Sequence, residues 1–316
     1  MIGIVGAGAF GTALAIAFTR EGRPVTLWLR DPTTAAQVAT TRQNPRLPNT
    51  TLPDTITVTA NLADLSNAQA LLLAIPMQSL AAFLTQHALS LPKVPLIVCC
   101  KGIDLATLRG PTALLTAARP DLPSAILTGP SFAADIAHGL PTALTLAGND
   151  AEPLQNLLST PTLRLYRTDD VIGAELGGAL KNVIAIAAGV VIGAALGSSA
   201  RAALMTRGYA EMQRLALTLG ARPETLAGLS GLGDLVLTCT SLQSRNLQFG
   251  IALGAGSDFD TTITVEGTAT AKAVARLARN KQIPMPITQM VADLIDRTVT
   301  LEQAVASLMS RPLKQE

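Results

Sequence analysis

Ile2-Gly-Ile-Val-Gly6-Ala-Gly8-Ala-Phe10-Gly11-Thr-Ala-Leu-Ala15 decides the fold of this chain. A short apolar run leads into three glycines at G-x-G-x-x-G spacing, and a helical pattern follows from about Thr12. In that setting Gly6 permits a tight turn, Gly8 lets backbone approach a pyrophosphate, and Gly11 allows helix and strand to pack closely. The helix N-terminus supplies free N–H groups and partial positive charge for phosphates. A glycine-rich turn without a ligand is the competing reading, and the flanking strand and helix weigh against it.

Further along, short apolar runs alternate with helical patterns. Candidate strands are Ile2–Val5, Val25–Leu29, Ala70–Ala74, Leu96–Cys99, Ala125–Thr128 and Ala143–Leu146. Such runs fit strands of a parallel sheet buried on both faces. After about residue 168 no strand series continues. Leu204, Met205, Tyr209, Met212, Ala216 and Leu219 share a helical face, with Gly220 as a stop. Thr300 with Gln303 reads as a capping box opening the last helix. The expected organisation is an α/β Rossmann-like NAD(P)-binding domain over residues 1–167 and an all-helical substrate-binding domain over residues 168–316.

The second strand should end at Leu27-Trp28-Leu29-Arg30-Asp31, about 20 residues past the glycines. An acid there binds a ribose 2′-hydroxyl, whereas an arginine accommodates a 2′-phosphate. Arg30 comes first, so NADP(H) is the preferred cofactor and NAD(H) remains open. Ligands gather beyond the carboxyl ends of such strands. Three more stretches fall there: Ile75-Pro76, Lys101-Gly102-Ile103 and Gly129-Pro130-Ser131-Phe132. Ser131 could equally cap the next helix, and Lys101 could reach solvent.

A formal charge of +2, with basic residues scattered, argues against a nucleic-acid partner. Three cysteines, Cys99 and Cys100 adjacent, form no disulfide framework, and the chain opens directly on a strand without a signal-peptide pattern. A cytoplasmic protein is expected, with no metal. Val183 to Ala200 is apolar enough to qualify as a membrane span and carries Gly189, Gly193 and Gly197 at four-residue spacing. It lacks aromatic belts, and a central buried helix fits as well. No membrane insertion is expected.

Just before that run, Lys181 is the only charged residue between Glu175 and Arg201. Burial would pull its pKa down toward the range useful for proton transfer. A lysine extending out of a core to water is the alternative. A second polar cluster follows: Asp234, Thr238, Thr240, Ser241, then Ser244-Arg245-Asn246. An arginine fork with hydroxyls and an amide suits a phosphate, although a polar connecting loop looks the same.

Taken together, the chain resembles bacterial NAD(P)-dependent glycerol-3-phosphate dehydrogenases over essentially its full length. The resemblance rests on Gly6–Ala15, Leu27–Arg30, Lys101–Ile103, Gly129–Ala133, Glu175–Val183, Gly231–Leu235, Ser244–Asn246 and Val265–Gly267. It implies a helical domain of the 6-phosphogluconate dehydrogenase C-terminal type. It further implies interconversion of sn-glycerol 3-phosphate and dihydroxyacetone phosphate, feeding phospholipid synthesis. By motif position, Lys181 would accept the proton. Lys101, Gly129, Ser131, Asp234, Ser244, Arg245 and Asn246 would contact substrate. Gly6, Gly8, Phe10, Gly11, Arg30, Lys101, Ala133, Arg245, Val265 and Glu266 would form the cofactor site. The chain departs from the family pattern at Ala9-Phe10, where Ser-Trp is usual, and at Asn44-Pro-Arg46-Leu-Pro-Asn49, which lacks a Tyr and a Gly.

Removing a secondary alcohol's hydride requires a base for its proton. The only histidines, His87 and His138, sit in no recognisable constellation, which leaves Lys181 as the best candidate base. Asn182 and Asp234 would orient it or the hydroxyls, and Arg245 with Asn246 would hold the phosphate. A related β-hydroxyacid or 6-phosphogluconate-type dehydrogenase is the nearest rival, although those families carry Lys-x-x-x-Asn where asparagine here follows directly. A non-catalytic NADP(H) sensor is another. The expected partner is a phosphorylated small molecule; a homodimer is left open.

Overall fold

The computed structural model describes residues 1–310. One eight-stranded sheet holds β1 (Ile2–Val5), β2 (Val25–Trp28), β3 (Ile56–Thr59), β4 (Ala70–Leu73), β5 (Leu96–Val98), β6 (Ser124–Thr128), β7 (Thr142–Gly148) and β8 (Leu163–Thr168). Its spatial order is β3-β2-β1-β4-β5-β6-β7-β8. Val5 at the end of β1 pairs with Trp28 on one side and Leu73 on the other. Strand order therefore reverses between β1 and β4, which opens a crevice beyond their carboxyl ends.

Helices cover the sheet: α1 (Ala9–Arg20), α2 (Pro32–Thr41), α3 (Met77–His87), α4 (Pro111–Ala118), α5 (Ala133–Ala137) and α6 (Glu152–Leu158). The near-continuous apolar strands feed two cores. Ile2, Ile4, Leu27, Leu72 and Ile97 pack with Leu14 and Phe18 of α1. Val5, Trp28, Leu71, Leu73 and Val98 pack with Met77 and Phe83 of α3 on the opposite face.

Each strand expected from the sequence forms, within a residue or two of the expected bounds, and two more join them. β3 is short and half-exposed, and β8 alternates buried Leu163 and Leu165 with exposed Arg164 and Tyr166. Both are outer strands covered on one face only, so neither shows a continuous apolar run. The sheet is not wholly parallel, because β6 pairs antiparallel with β7. Between them α5 has only five residues, a rise of about 7.5 Å. The chain from Gly129 to Pro141 leaves and re-enters at the same end of the sheet, so β7 runs back alongside β6.

The helical half contains α7 (Val171–Gly193), α8 (Ser198–Thr218), α9 (Pro223–Ala227), a π turn (Leu229–Gly233), α10 (Asp234–Thr240), α11 (Arg245–Ala255), α12 (Glu266–Asn280), α13 (Pro286–Ile295) and α14 (Leu301–Met309). The expected capping box is present: Thr300 Oγ1 accepts from Gln303 N while Gln303 Oε1 accepts from Thr300 N. Gly220 lies just past α8 at φ +94°.

The apolar run that resembled a membrane span is the central helix of this half. α7 is buried almost continuously from Gly173 to Val191 and ends at Gly193, short of Ala200. Its glycines serve contact rather than flexibility. A Cβ on Gly189 would lie 2.2 Å from the Leu247 carbonyl oxygen, and one on Gly193 2.1 Å from that of Ile251. Gly250 and Gly254 of α11 return the fit, each 2.1–2.3 Å from an α7 carbonyl oxygen by the same measure. Gly197 instead makes the turn into α8 at φ +90°.

Because backbone oxygen cannot move aside as a side chain can, Gly250→Ala should lower unfolding stability by about 2 kcal/mol or more. Gly197→Ala, with nothing within 4 Å but a positive φ, should lower it by about 1–2 kcal/mol. Urea midpoints at constant m would show the order; equal midpoints for Gly250→Ala and the unaltered chain would contradict it.

Candidate active site

A cavity of about 630 Å³ opens beyond β1, β4, β5 and β6. The sheet half contributes Gly6–Phe10, Ala74–Pro76, Cys99–Lys101 and Ser131–Ala134. The opposite wall holds Lys181 and Asn182 of α7, Asp234 and Thr238 of α10, Ser244 before α11, Arg245 and Asn246 on it, and Glu266 of α12.

The glycine loop has the shape a dinucleotide phosphate requires. Gly6 adopts φ +105°, and a Cβ there would meet the Ala74 carbonyl oxygen at 2.6 Å. A Cβ on Gly11 would lie 2.1 Å from the Gly6 oxygen, so this glycine lies beneath the cavity and does not line it. Gly8 faces open space, with nothing within 4 Å of its missing Cβ. The helix begins at Ala9, three residues before Thr12, and no side chain caps it. Its first N–H groups are thus free to receive a phosphate at the spot where backbone can approach most closely. These residues fit the pyrophosphate of a nicotinamide dinucleotide.

Asn44 holds this loop in place. Its Nδ2 donates to the Ala7 carbonyl at 3.0 Å and to Thr12 Oγ1 at 2.7 Å, while its Oδ1 accepts from Arg46 N at 3.0 Å. At the end of β2, Arg30 is exposed and does not line the cavity. Asp31 turns its carboxylate onto Thr34 N and Oγ1, capping α2.

Across the cavity, Lys181 is buried at 7 % exposure. Its Nζ donates to Thr238 Oγ1 at 2.7 Å and lies 3.0 Å from Asp234 Oδ1. Lys101 Nζ lies 2.5 Å from the other oxygen, Asp234 Oδ2, and donates to the Gly129 carbonyl at 3.0 Å. One carboxylate thus sits between two ammonium groups. Burial brings the Lys181 pKa down to about 8; Asp234 opposes this and Lys101 adds to it. Burial alone would raise the Asp234 carboxyl, but the two lysines outweigh it and hold the group below its usual range. Glu266 is pushed up by burial, against the pull of Arg245 and Lys101.

Local structure explains these placements. The π turn before α10 sets Asp234 at the helix start, and glycines let that turn press against α7 on one side and α9 on the other. A Cβ on Gly177 would meet the Ser230 oxygen at 2.7 Å, and one on Gly231 the Leu226 oxygen at 2.0 Å. Ser244 caps α11 by accepting from Leu247 N, which points the first residue of that helix, Arg245, at the cavity rim. Asn246 Nδ2 donates to Asn182 Oδ1 at 2.9 Å and its Oδ1 accepts from Gly267 N at 2.9 Å, leaving one amide hydrogen for a ligand.

Of the residues singled out from the sequence, Gly6, Gly8, Phe10, Lys101, Ser131, Ala133, Lys181, Asp234, Ser244, Arg245, Asn246 and Glu266 come together around one cavity. Gly11, Arg30, Gly129 and Val265 do not line it. Gly129, at φ +133°, contributes its carbonyl to Lys101, and Val265 precedes α12. Ser131 does not cap α5; Phe132 stands at that position, and Ser131 Oγ donates to the Gly129 carbonyl. Neither His87 nor His138 lines the cavity. Sequence reasoning counted Thr238 among the hydroxyls of the phosphate cluster and did not connect it to Lys181, although its spacing four residues after Asp234 on one helix face was a readable signal. It named Asn44 and Arg46 only as part of a segment that departs from the family pattern, without a role for either, and it missed Gln243 and Thr264, which carry no local pattern.

Residues 1–153 match the family described as NAD-dependent glycerol-3-phosphate dehydrogenase N-terminus, and residues 170–306 match the corresponding C-terminus. The chain is 64 % identical over 319 aligned positions to a glycerol-3-phosphate dehydrogenase (NAD(P)+) of Cereibacter sphaeroides, with 100 % of each chain covered. It is 58 % identical to the protein of that name from Paracoccus denitrificans, covering 100 % of this chain and 99 % of the relative. The crystal structure of glycerol-3-phosphate dehydrogenase from Coxiella burnetii superposes with a TM-score of 0.93 at 37 % identity, covering 98 % of each chain. With both halves of its length matched, the chain belongs to the NAD-dependent glycerol-3-phosphate dehydrogenase family.

Proposed function

We propose that this chain interconverts sn-glycerol 3-phosphate and dihydroxyacetone phosphate, using NADP(H) in preference to NAD(H), in the cytoplasm, as a source of glycerol 3-phosphate for phospholipid synthesis. In this reading residues 1–167 hold the dinucleotide, and the helical half that follows supplies the substrate wall. The observation that carries the reading is Lys181, buried against Thr238 and Asp234 in the wall opposite the glycine loop. The bound nicotinamide supplies or takes up hydride at the carbinol carbon.

The chain's own residues handle the proton and the phosphate. An ammonium has three N–H donors, and Lys181 directs two of them to Thr238 and Asp234. The third is left for the substrate oxygen. In oxidation, neutral Lys181 takes the hydroxyl proton; in reduction, protonated Lys181 gives it to the ketone oxygen. Lys101, held by Asp234 and Gly129, keeps positive charge beside that oxygen. Asn182, fixed by Asn246, orients a hydroxyl, and Arg245 at the start of α11 takes the phosphate. The NADP(H) preference is supported by Arg30 at the end of β2 and by the engagement of Asp31 with Thr34, which leaves the nearby acid poorly placed for a ribose 2′-hydroxyl.

Initial rates with dihydroxyacetone phosphate and each reduced nicotinamide test substrate, reaction and cofactor together. Turnover with NADPH exceeding that with NADH is expected, and no turnover with either would overturn the assignment. Lys181→Ala should lose roughly 10²–10⁴-fold in kcat with nucleotide affinity retained. The unaltered enzyme should show oxidation rising and reduction falling as pH passes through about 8, since the base form accumulates above that pH. A pH profile unchanged in Lys181→Ala would remove the lysine from the chemistry. Arg245→Ala should raise the KM for the phosphorylated substrate roughly 10–100-fold; an unchanged KM would move the phosphate site elsewhere.

A further inference from the structure

We propose that Arg46 binds the pyrophosphate of the dinucleotide, a role that rests on the cofactor reading above and extends it to a residue outside the glycine motif. Arg46 is exposed and lines the same cavity as Gly6–Phe10. Among the described residues its guanidinium has no carboxylate partner and no hydrogen-bond acceptor. A cation facing the cavity beside a helix N-terminus, with nothing to neutralise it, is placed to meet an anionic ligand.

The backbone around Arg46 is fixed to the phosphate loop itself. Asn44 bridges the two, donating to Ala7 and Thr12 on one side and accepting from Arg46 N on the other. Leu47, 5 % exposed, anchors the following position and donates its N–H to the Asn44 carbonyl at 2.9 Å. The stem of Arg46 therefore starts from a point held relative to Gly8, so little backbone ordering remains when a ligand arrives.

The local chemistry also calls for such a charge. A pyrophosphate carries two negative charges, whereas a helix end offers about half a positive one. No side chain caps α1, and position 9 is an alanine that has no hydroxyl to offer. The planar guanidinium supplies paired N–H donors at the geometry phosphate oxygens accept. Arg30, by contrast, lies outside the cavity lining at the end of β2, where a 2′-phosphate would be read. The two arginines thus have separate roles. Arg46 serves the phosphates common to both nucleotides, and Arg30 the one that distinguishes them.

Dissociation constants for NADPH and NADH, read from reduced-nicotinamide fluorescence at fixed ionic strength, test this in the unaltered protein, Arg46→Ala, Arg46→Lys and Arg30→Ala. Arg46→Ala should weaken both nucleotides by a similar factor of about ten or more, and Arg46→Lys should recover part of it. Arg30→Ala should weaken NADPH alone. Unchanged affinity for both nucleotides in Arg46→Ala, or a loss confined to NADPH, would overturn the assignment. Should the alanine variant melt early, Arg46→Gln keeps the stem without the charge and carries the same comparison. If the unaltered protein binds neither nucleotide, the cofactor reading itself falls; if it binds both and Arg46→Ala binds as tightly, only the role of Arg46 falls.

Discussion

Asp234 between Lys101 and Lys181 is the interaction on which the site depends. Two ammonium groups facing one small cavity repel each other, and burying both without a counter-charge would be strongly unfavourable. The carboxylate gives one oxygen to each lysine, at 2.5 Å and 3.0 Å. This lets both remain at the cavity wall, yet does not fully offset the desolvation of Lys181, whose pKa settles at about 8. The balance is set by geometry. Asp234 opens α10 directly after a π turn, which Gly177 lets pack against α7 and Gly231 lets close on α9.

The same helix ties the molecule together from end to end. Near its start, Glu175 accepts from Thr112 N at 3.1 Å and so caps α4 of the sheet half. One turn on, a Cβ on Gly178 would come within 2.5 Å of Thr128 Oγ1 at the end of β6. Lys181 then meets α10, and Gly189 and Gly193 seat α11. An apolar composition over this span is what a helix packed on all sides requires. The composition that mimics a membrane span is thus the condition for keeping Lys181 dry.

Much of this was legible in the sequence, for identifiable reasons. Strands buried on both faces appear as continuous apolar runs, and the glycine loop declares itself by spacing, so β1, β2 and β4–β7 were readable. β3 and β8 were not, since an outer strand with one covered face alternates and merges with its polar turns. Lys181 was visible as a lone charge because burial of a lysine needs a reason. The hold of Asn44 on Ala7 and Thr12 was invisible, since it joins positions more than thirty residues apart and depends only on the chain returning to the loop after α2.

That returning segment bears on how one cavity can accept two anions. A dinucleotide and a phosphorylated substrate, both negative, must lie side by side for hydride to pass between them. On the proposed reading, their repulsion would be met by cations carried on different elements: Arg46 after α2, Lys101 after β5 and Arg245 at the start of α11. A single cluster of those charges would repel itself and demand more buried acids. Spread around the rim, Arg46 and Arg245 stay partly hydrated until a ligand arrives. Only Lys101, which sits deepest of the three, needs a carboxylate partner, and that partner is the one Lys181 already shares. The fold therefore uses one buried acid to serve two lysines at once, and leaves Arg46 and Arg245 at the rim, where water can still reach them.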